Sequence, residues 1–244
     1  MIRAERTAEA RERVSAARAR AKAALGAPGV RLSLTVGAIF CLLSVIAVYV
    51  IVEALSLVFD PFLMTSDTYP VYLIVLIYVA LFFVASPVLS GFYRMCVFSA
   101  DGEAPDARML TAAYGKFSNV CASWCAAAML SVRWVLPITV ICAVAAVESL
   151  RVWLWAAIPA ALIWMRLFRF LSVFARRVCA DPTNMSASGM KCAFVHANRH
   201  RREYTRAAVL ELPLLILSLV AVCVPFLFHT LPLWEITAYM LDRE

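Results

Sequence analysis

Glycine occurs only 7 times in 244 residues. Loops that cradle phosphate with backbone N–H groups need clustered glycines, so neither a Walker loop nor a dinucleotide fingerprint can be assembled. Histidine occurs 3 times and no H-E-x-x-H helix is present, which leaves metal-assisted hydrolysis without its usual ligands. The eight cysteines form no C-x-x-C pair. Most lie in apolar runs, where cysteine behaves as a small hydrophobe, and no structural disulfide is expected. No G-x-S-x-G elbow occurs either. These absences argue against an enzyme and against a bound metal or cofactor. Charge is also scarce, at 16% of residues, where soluble domains carry about 25%.

Apolar residues make up 64% of the chain. They fall into blocks at 32–59, 69–93, 120–147, 152–175 and 207–228. Each reaches the ~20 residues that a bilayer-spanning helix needs. The expected fold is therefore all-α, a polytopic transmembrane bundle of five spans. The first block is too long and too far from the N-terminus to be a secretory leader.

Lysine and arginine are retained on the cytoplasmic side of a membrane. The segment 1–31 holds eight bases against three acids, and 176–206 holds seven against Asp181 and Glu203. The link 60–68 has two acids and no base, and the short link before the fourth span has only Arg151 as a base. An N-terminus in the cytoplasm puts every base-rich segment inside. Segment 1–31 reads as a basic, solvated cytoplasmic helix broken at Gly26, Pro28 and Gly29. Segment 229–244 reads as a C-terminal helix lying at the interface or half inserted, because His229 and Glu235 disfavour deep burial. In the loop 99–110, Asp101-Gly102 and Pro105 supply turn chemistry, and Asp106 is placed to cap a helix running on through Tyr114 and Phe117.

Ionisable residues inside a membrane are costly, by roughly 2.5–3.5 kcal/mol at a helix centre on insertion scales. Arg133 in the third span therefore needs a partner, and Glu53 in the first span is the expected one. Arg166 and Arg169 in the fourth span recur at helical spacing with Val173 and Arg176, so the arginines share one helix face. Counted from Ala175, Arg166 lies about 13 Å in. Such a face would snorkel to the boundary or hold a phosphate in the forked geometry of guanidinium.

The stretch VHANRHRREYTR, 195–206, places His196 and His200 one helical turn apart among Arg199, Arg201, Arg202 and Arg206. Those cations would repel a metal ion, and no third ligand is apparent. A polybasic segment at the start of a span meets anionic lipid, so the stretch reads as a membrane-surface anchor. The basic N-terminal helix lacks the interleaved aromatics of a nucleic-acid arm, and no nucleic acid is expected as a partner.

Two segments carry a likeness. GFYRMCVFSADGEAPDARMLTAAYGKF, with Gly91, Arg94, Gly102, Glu103, Pro105, Leu110, Tyr114 and Phe117, resembles a loop in bacterial multipass proteins grouped as a domain of unknown function. IPAALIWMRLFRFLSVFARRVCADP is similar to that group's Ile-Pro helix leading to an Asp-Pro pair, with Ala160 where the group usually has glycine. The group in turn is similar to the membrane domain attached to some glycerophosphodiester phosphodiesterases. The resemblance implies a multipass protein of a bacterial cytoplasmic membrane and implies no activity. The expected role is non-catalytic: contact with anionic lipid, or with a membrane partner or a second copy, through Arg166, Arg169, Arg176, Arg177, Arg199, Arg201 and Arg202. The alternative expectation is a small-solute transporter or permease component with a polar path at Arg133 and Glu53.

Overall fold

The computed structural model describes residues 2–59, 69–207, 209–210 and 226–243. Among them there is no strand, and four helices are long and apolar enough to cross a membrane: Pro28–Ser56, Leu73–Ala100, Phe117–Ala146 and Glu148–Leu167. The chain is an all-α membrane protein. Most of the fifth expected span, 207–228, lies outside the described residues.

Helix α1 (Ile2–Gly26) breaks at Ala27, and α2 (Pro28–Phe59) forms the first span with proline at its first position, where a missing N–H costs nothing. The second span is one continuous rod: α3 (Tyr69–Ala80), a π-helical turn over Leu81–Ala85, and α4 (Ser86–Ala100). The third repeats the plan with α5 (Phe117–Leu130), a π turn over Ser131–Val135, and α6 (Leu136–Ala146). After a 3₁₀ stretch come α7 (Leu154–Leu167), α8 (Arg169–Ala180) and α9 (Ala187–Arg199). Residues 201–207 form α10. A third π turn, Phe226–Thr230, leads into α11 (Leu231–Arg243).

Proline explains the π turns. Pro87, Pro137 and Pro232 each stand two residues beyond the end of one of them. A proline inside a helix has no N–H and collides with the carbonyl four residues back, and a one-turn widening absorbs the collision. Carbonyls released in this way must find donors where no water is available. The Phe83 carbonyl accepts the Trp124 indole N–H at 3.0 Å, and the Val84 carbonyl accepts the Tyr114 hydroxyl. The Val132 carbonyl accepts the Trp164 indole N–H at 3.0 Å.

Three expectations are corrected here. The fourth span does not run to Ala175. It ends at Leu167, and Phe168 sits between helices with φ −88° and ψ 19°. Asp106 does cap, accepting from the Arg108 N–H at 2.9 Å, but it opens a 3₁₀ turn, Ala107–Leu110; a second, Ala112–Gly115, follows before α5 begins at Phe117. The N-terminal helix is not solvated all round. Ala10, Val14, Ala17 and Ala21 are buried at helical spacing, and the face packs on α11 around Leu241. A stripe of small residues lets two helices approach closely, which a search for large apolar side chains overlooks.

The C-terminal helix sits inside the bundle. Leu233 and Ile236 are wholly buried among Val30, Leu34, Ala38, Val88, Phe92 and Met95. At its far end Arg243 pairs with Asp101, just past α4. Around that loop, two glycines have clear reasons. A Cβ on Gly91 would lie 2.5 Å from the Met109 carbonyl oxygen, so the 3₁₀ turn can lie on α4 only there, and Gly102 has φ +83°.

Candidate functional site

Two regions gather charge, and neither is the set that the sequence grouped. The first lies where α7, α8 and α9 meet. Arg166 is exposed in the last turn of α7, and Arg169 opens α8. The break at Phe168 removes the common helix face, yet folding brings Arg201 near Arg169. Burial lowers the pKa of Arg169 below the ordinary guanidinium value, and repulsion from Arg166 and Arg201 adds to it. No carboxylate is among the groups acting on Arg169. Its Nη2 donates to Asn198 Oδ1 at 2.7 Å, while its buried Nε meets no acceptor. Arg199 and Arg202 are exposed nearby in the chain. Arg177 is half-buried, with Nη1 3.0 Å from Cys192 Sγ.

Arg176 belongs elsewhere. It is 8% exposed, and its Nε donates to Asp242 Oδ2 at 2.9 Å. Burial alone would lower its pKa. Asp242 and Glu235 outweigh that and hold it above the ordinary value. Around Asp242 converge the Tyr204 hydroxyl and, at 3.7 Å, His196 Nε2. His196 and His200 stack with ring centroids 4.6 Å apart, and His200 Nδ1 lies 2.5 Å from Glu203 Oε2. His196 thus faces α11 and His200 is buried against the His196 ring, rather than lying at a lipid surface, which corrects the anchor reading for them; the arginines Arg199, Arg201 and Arg202 of the same stretch are exposed. Burial lowers the His196 pKa, with Asp242 opposing it. Among the described residues no three His, Cys, Asp or Glu side chains are grouped to hold a metal.

The second region is a cavity of about 370 Å³ between α4, α5 and its π turn, α8 and α11. Its charged groups are Arg133, Arg176 and Glu235, and its hydroxyls are Tyr93, Ser86, Ser90, Ser123, Ser131 and Ser172. Arg133 does not pair with Glu53. Its Nε donates to the Met165 carbonyl and its Nη1 to the Arg169 carbonyl, both at 3.3 Å, so it closes the frayed end of α7. Its guanidinium also lies 4.7 Å from the Trp134 ring centroid. The carboxyl that acts on it is Glu235, from a helix expected at the membrane surface. Glu53 is absent from the cavity wall, and its Oε2 is buried without a hydrogen bond. The sequence contained one signal for Glu235: a carboxyl in an apolar segment, the same signal that singled out Glu53.

No family model, no curated protein and no solved structure matches the chain.

Proposed function

We propose that the chain is a non-catalytic protein of a bacterial cytoplasmic membrane that holds the headgroup of an anionic lipid against its basic face. The observation that carries this is Arg169, whose guanidinium is partly buried with its Nε unpaired and is repelled by Arg166 and by Arg201, with no carboxylate acting on it. Like charges brought together by folding cost free energy, and a phosphate placed among them removes that cost through forked, charge-assisted hydrogen bonds. The N-terminus lies inside in this reading. Its support is that α1, the end of α4 and the C-terminal end of α11 gather at one end of the bundle, with the most strongly basic segments as their continuation. Arg176 leaves the expected contact set because it is buried and paired.

The test is thermal stability of the purified protein in detergent, titrated with cardiolipin or phosphatidylglycerol. A ligand that binds only the folded state at 100 times its Kd adds about 2.7 kcal/mol. Saturable stabilisation should appear in the wild type and vanish in the Arg166→Gln/Arg169→Gln double variant. Equal, salt-sensitive responses in both would reduce the cluster to snorkelling anchors.

A second reading, a solute path through the bundle, draws on the polar cavity at Arg133. It requires that Arg133→Gln abolish solute flux in proteoliposomes while the protein stays folded.

A further inference from the structure

We infer that the cavity between α4, α5, α8 and α11 is a binding site for a zwitterion, with its anionic group on Arg133 and its ammonium on Glu235. The inference rests on the cavity of the second reading but not on transport. Protein interiors leave few buried polar atoms unpaired. Here three of them line one space: Tyr93 Oη, Ser172 Oγ and Glu235 Oε2 have no hydrogen-bond partner. Tyr93 is 9% exposed and Ser172 4%, so bulk water does not serve them.

The charges select the ligand. Arg176 is matched by Asp242 behind the wall, which leaves Arg133 and Glu235 as the opposed pair. They act on each other electrostatically, yet no ion pair joins them among the described residues. Arg133 spends one Nε and one Nη1 donor on carbonyls, and guanidinium carries five N–H groups. It can therefore still bind an anion, while Glu235 still lacks a donor. A ligand of a single sign would satisfy one and leave the other buried without a partner; a zwitterion satisfies both. The hydroxyls of Tyr93 and Ser172 then complete the contacts to the polar head.

The rest of the wall sets the shape of the ligand. Leu130, Trp134 and Val135 are each about two-fifths exposed and form an apolar edge to the cavity, so an apolar group of the ligand lies against them. A volume of about 370 Å³ falls within the range of small-molecule sites. Two sources present this chemistry: the headgroup of phosphatidylethanolamine, with acyl chains leaving past Trp134, and a free apolar amino acid.

The experiment uses the full chain in mild detergent. Phosphatidylethanolamine is titrated by native mass spectrometry against a saturating background of phosphatidylglycerol of the same chains, which occupies the basic face and lacks the ammonium. Radiolabelled L-leucine is titrated separately by equilibrium dialysis. One probe should bind saturably, one per chain, with Kd at least tenfold weaker in Glu235→Gln and in Tyr93→Phe/Ser172→Ala, and unchanged in Trp155→Phe, at a site outside the cavity. Phosphatidylethanolamine binding identifies a lipid site and leucine binding a solute site; each supports the inference. If Glu235→Gln does not fold, the double hydroxyl variant, which changes no charge and little volume, decides alone. Absence of saturable binding by either probe to the wild type would mean a water-filled cavity and overturn the inference, as would equal Kd in wild type and both variants. Binding without flux would remove the transporter reading and leave the site.

Discussion

At the scale of single residues, the side-chain carboxylate of Asp242 holds the most. It is 6% exposed and meets Arg176, Tyr204 and His196 from three other helices. Breaking a buried pair strands the remaining charge, at a cost of about 3–5 kcal/mol. Asp242→Asn should therefore lower the melting temperature of the detergent-solubilised protein strongly, while Asp106→Asn, at an exposed cap, should scarcely move it. His196 adds a pH dependence whose sign follows from burial. Its native pKa is below the ordinary 6.5, so the unfolded chain takes up the proton first as pH falls. Its contribution to stability is complete above 6.5 and is lost as the pH drops through the native value. A melting curve series from pH 7.5 to 5 should show stability falling on the acid side, and His196→Gln should flatten that limb; parallel limbs would remove His196 as its source.

At the scale of helices, the apolar blocks were readable because lipid imposes one rule on every span: about twenty apolar residues, all backbone groups paired internally. The first three expected spans agree with the helices to within a few residues at most ends. What failed were features set by partners distant in the chain. The break at Phe168 falls inside a continuous apolar run and leaves no mark in composition. Its stabilising contact is Arg133, more than thirty residues away, on the carbonyls of Met165 and Arg169. The carboxyl that acts on Arg133 is hidden from the sequence for the same reason: Glu53 and Glu235 look alike there, and only the packing of α11 distinguishes them. By contrast, five residues of the loop motif acquire plain structural duties. Gly91 admits the 3₁₀ turn, Arg94 donates to the Cys179 carbonyl at 2.6 Å, Gly102 takes a left-handed turn, Leu110 is buried, and Tyr114 closes on Val84. The π turns yield a prediction of their own. Trp164→Phe keeps the ring that lies 4.2 Å from Phe168 but strands the Val132 carbonyl. The loss of about 1–3 kcal/mol should appear as reduced thermal stability, whereas Trp155→Phe, at an 88% exposed side chain, should be neutral.

At the scale of the molecule, the two ends of the chain meet. α1 packs on α11, and Arg243 reaches Asp101. With the N-terminus inside, Cys192, exposed on α9, faces the cytoplasm. It should resist a membrane-impermeant maleimide in intact cells and react after lysis; labelling in intact cells would invert the orientation. The third and fourth spans leave nearly all their side chains outside the bundle, so they meet lipid or another chain over most of their surface.

The three proline-linked π turns also bear on how such a chain can change length. Each is a helix holding one residue more than the regular ladder accommodates; the turn at Ser131–Val135 lines the cavity, and the other two end one residue before the wall residues Ser86 and Leu231. Successive residues of an α-helix differ by about 100° in direction. Deleting a single residue at Ser131–Val135 would restore a regular helix and swing every side chain beyond it onto a different face. Chains built on this plan should therefore tolerate gained or lost residues in their loops, while a gap of one at these turns re-faces half a span and redraws the wall of the cavity.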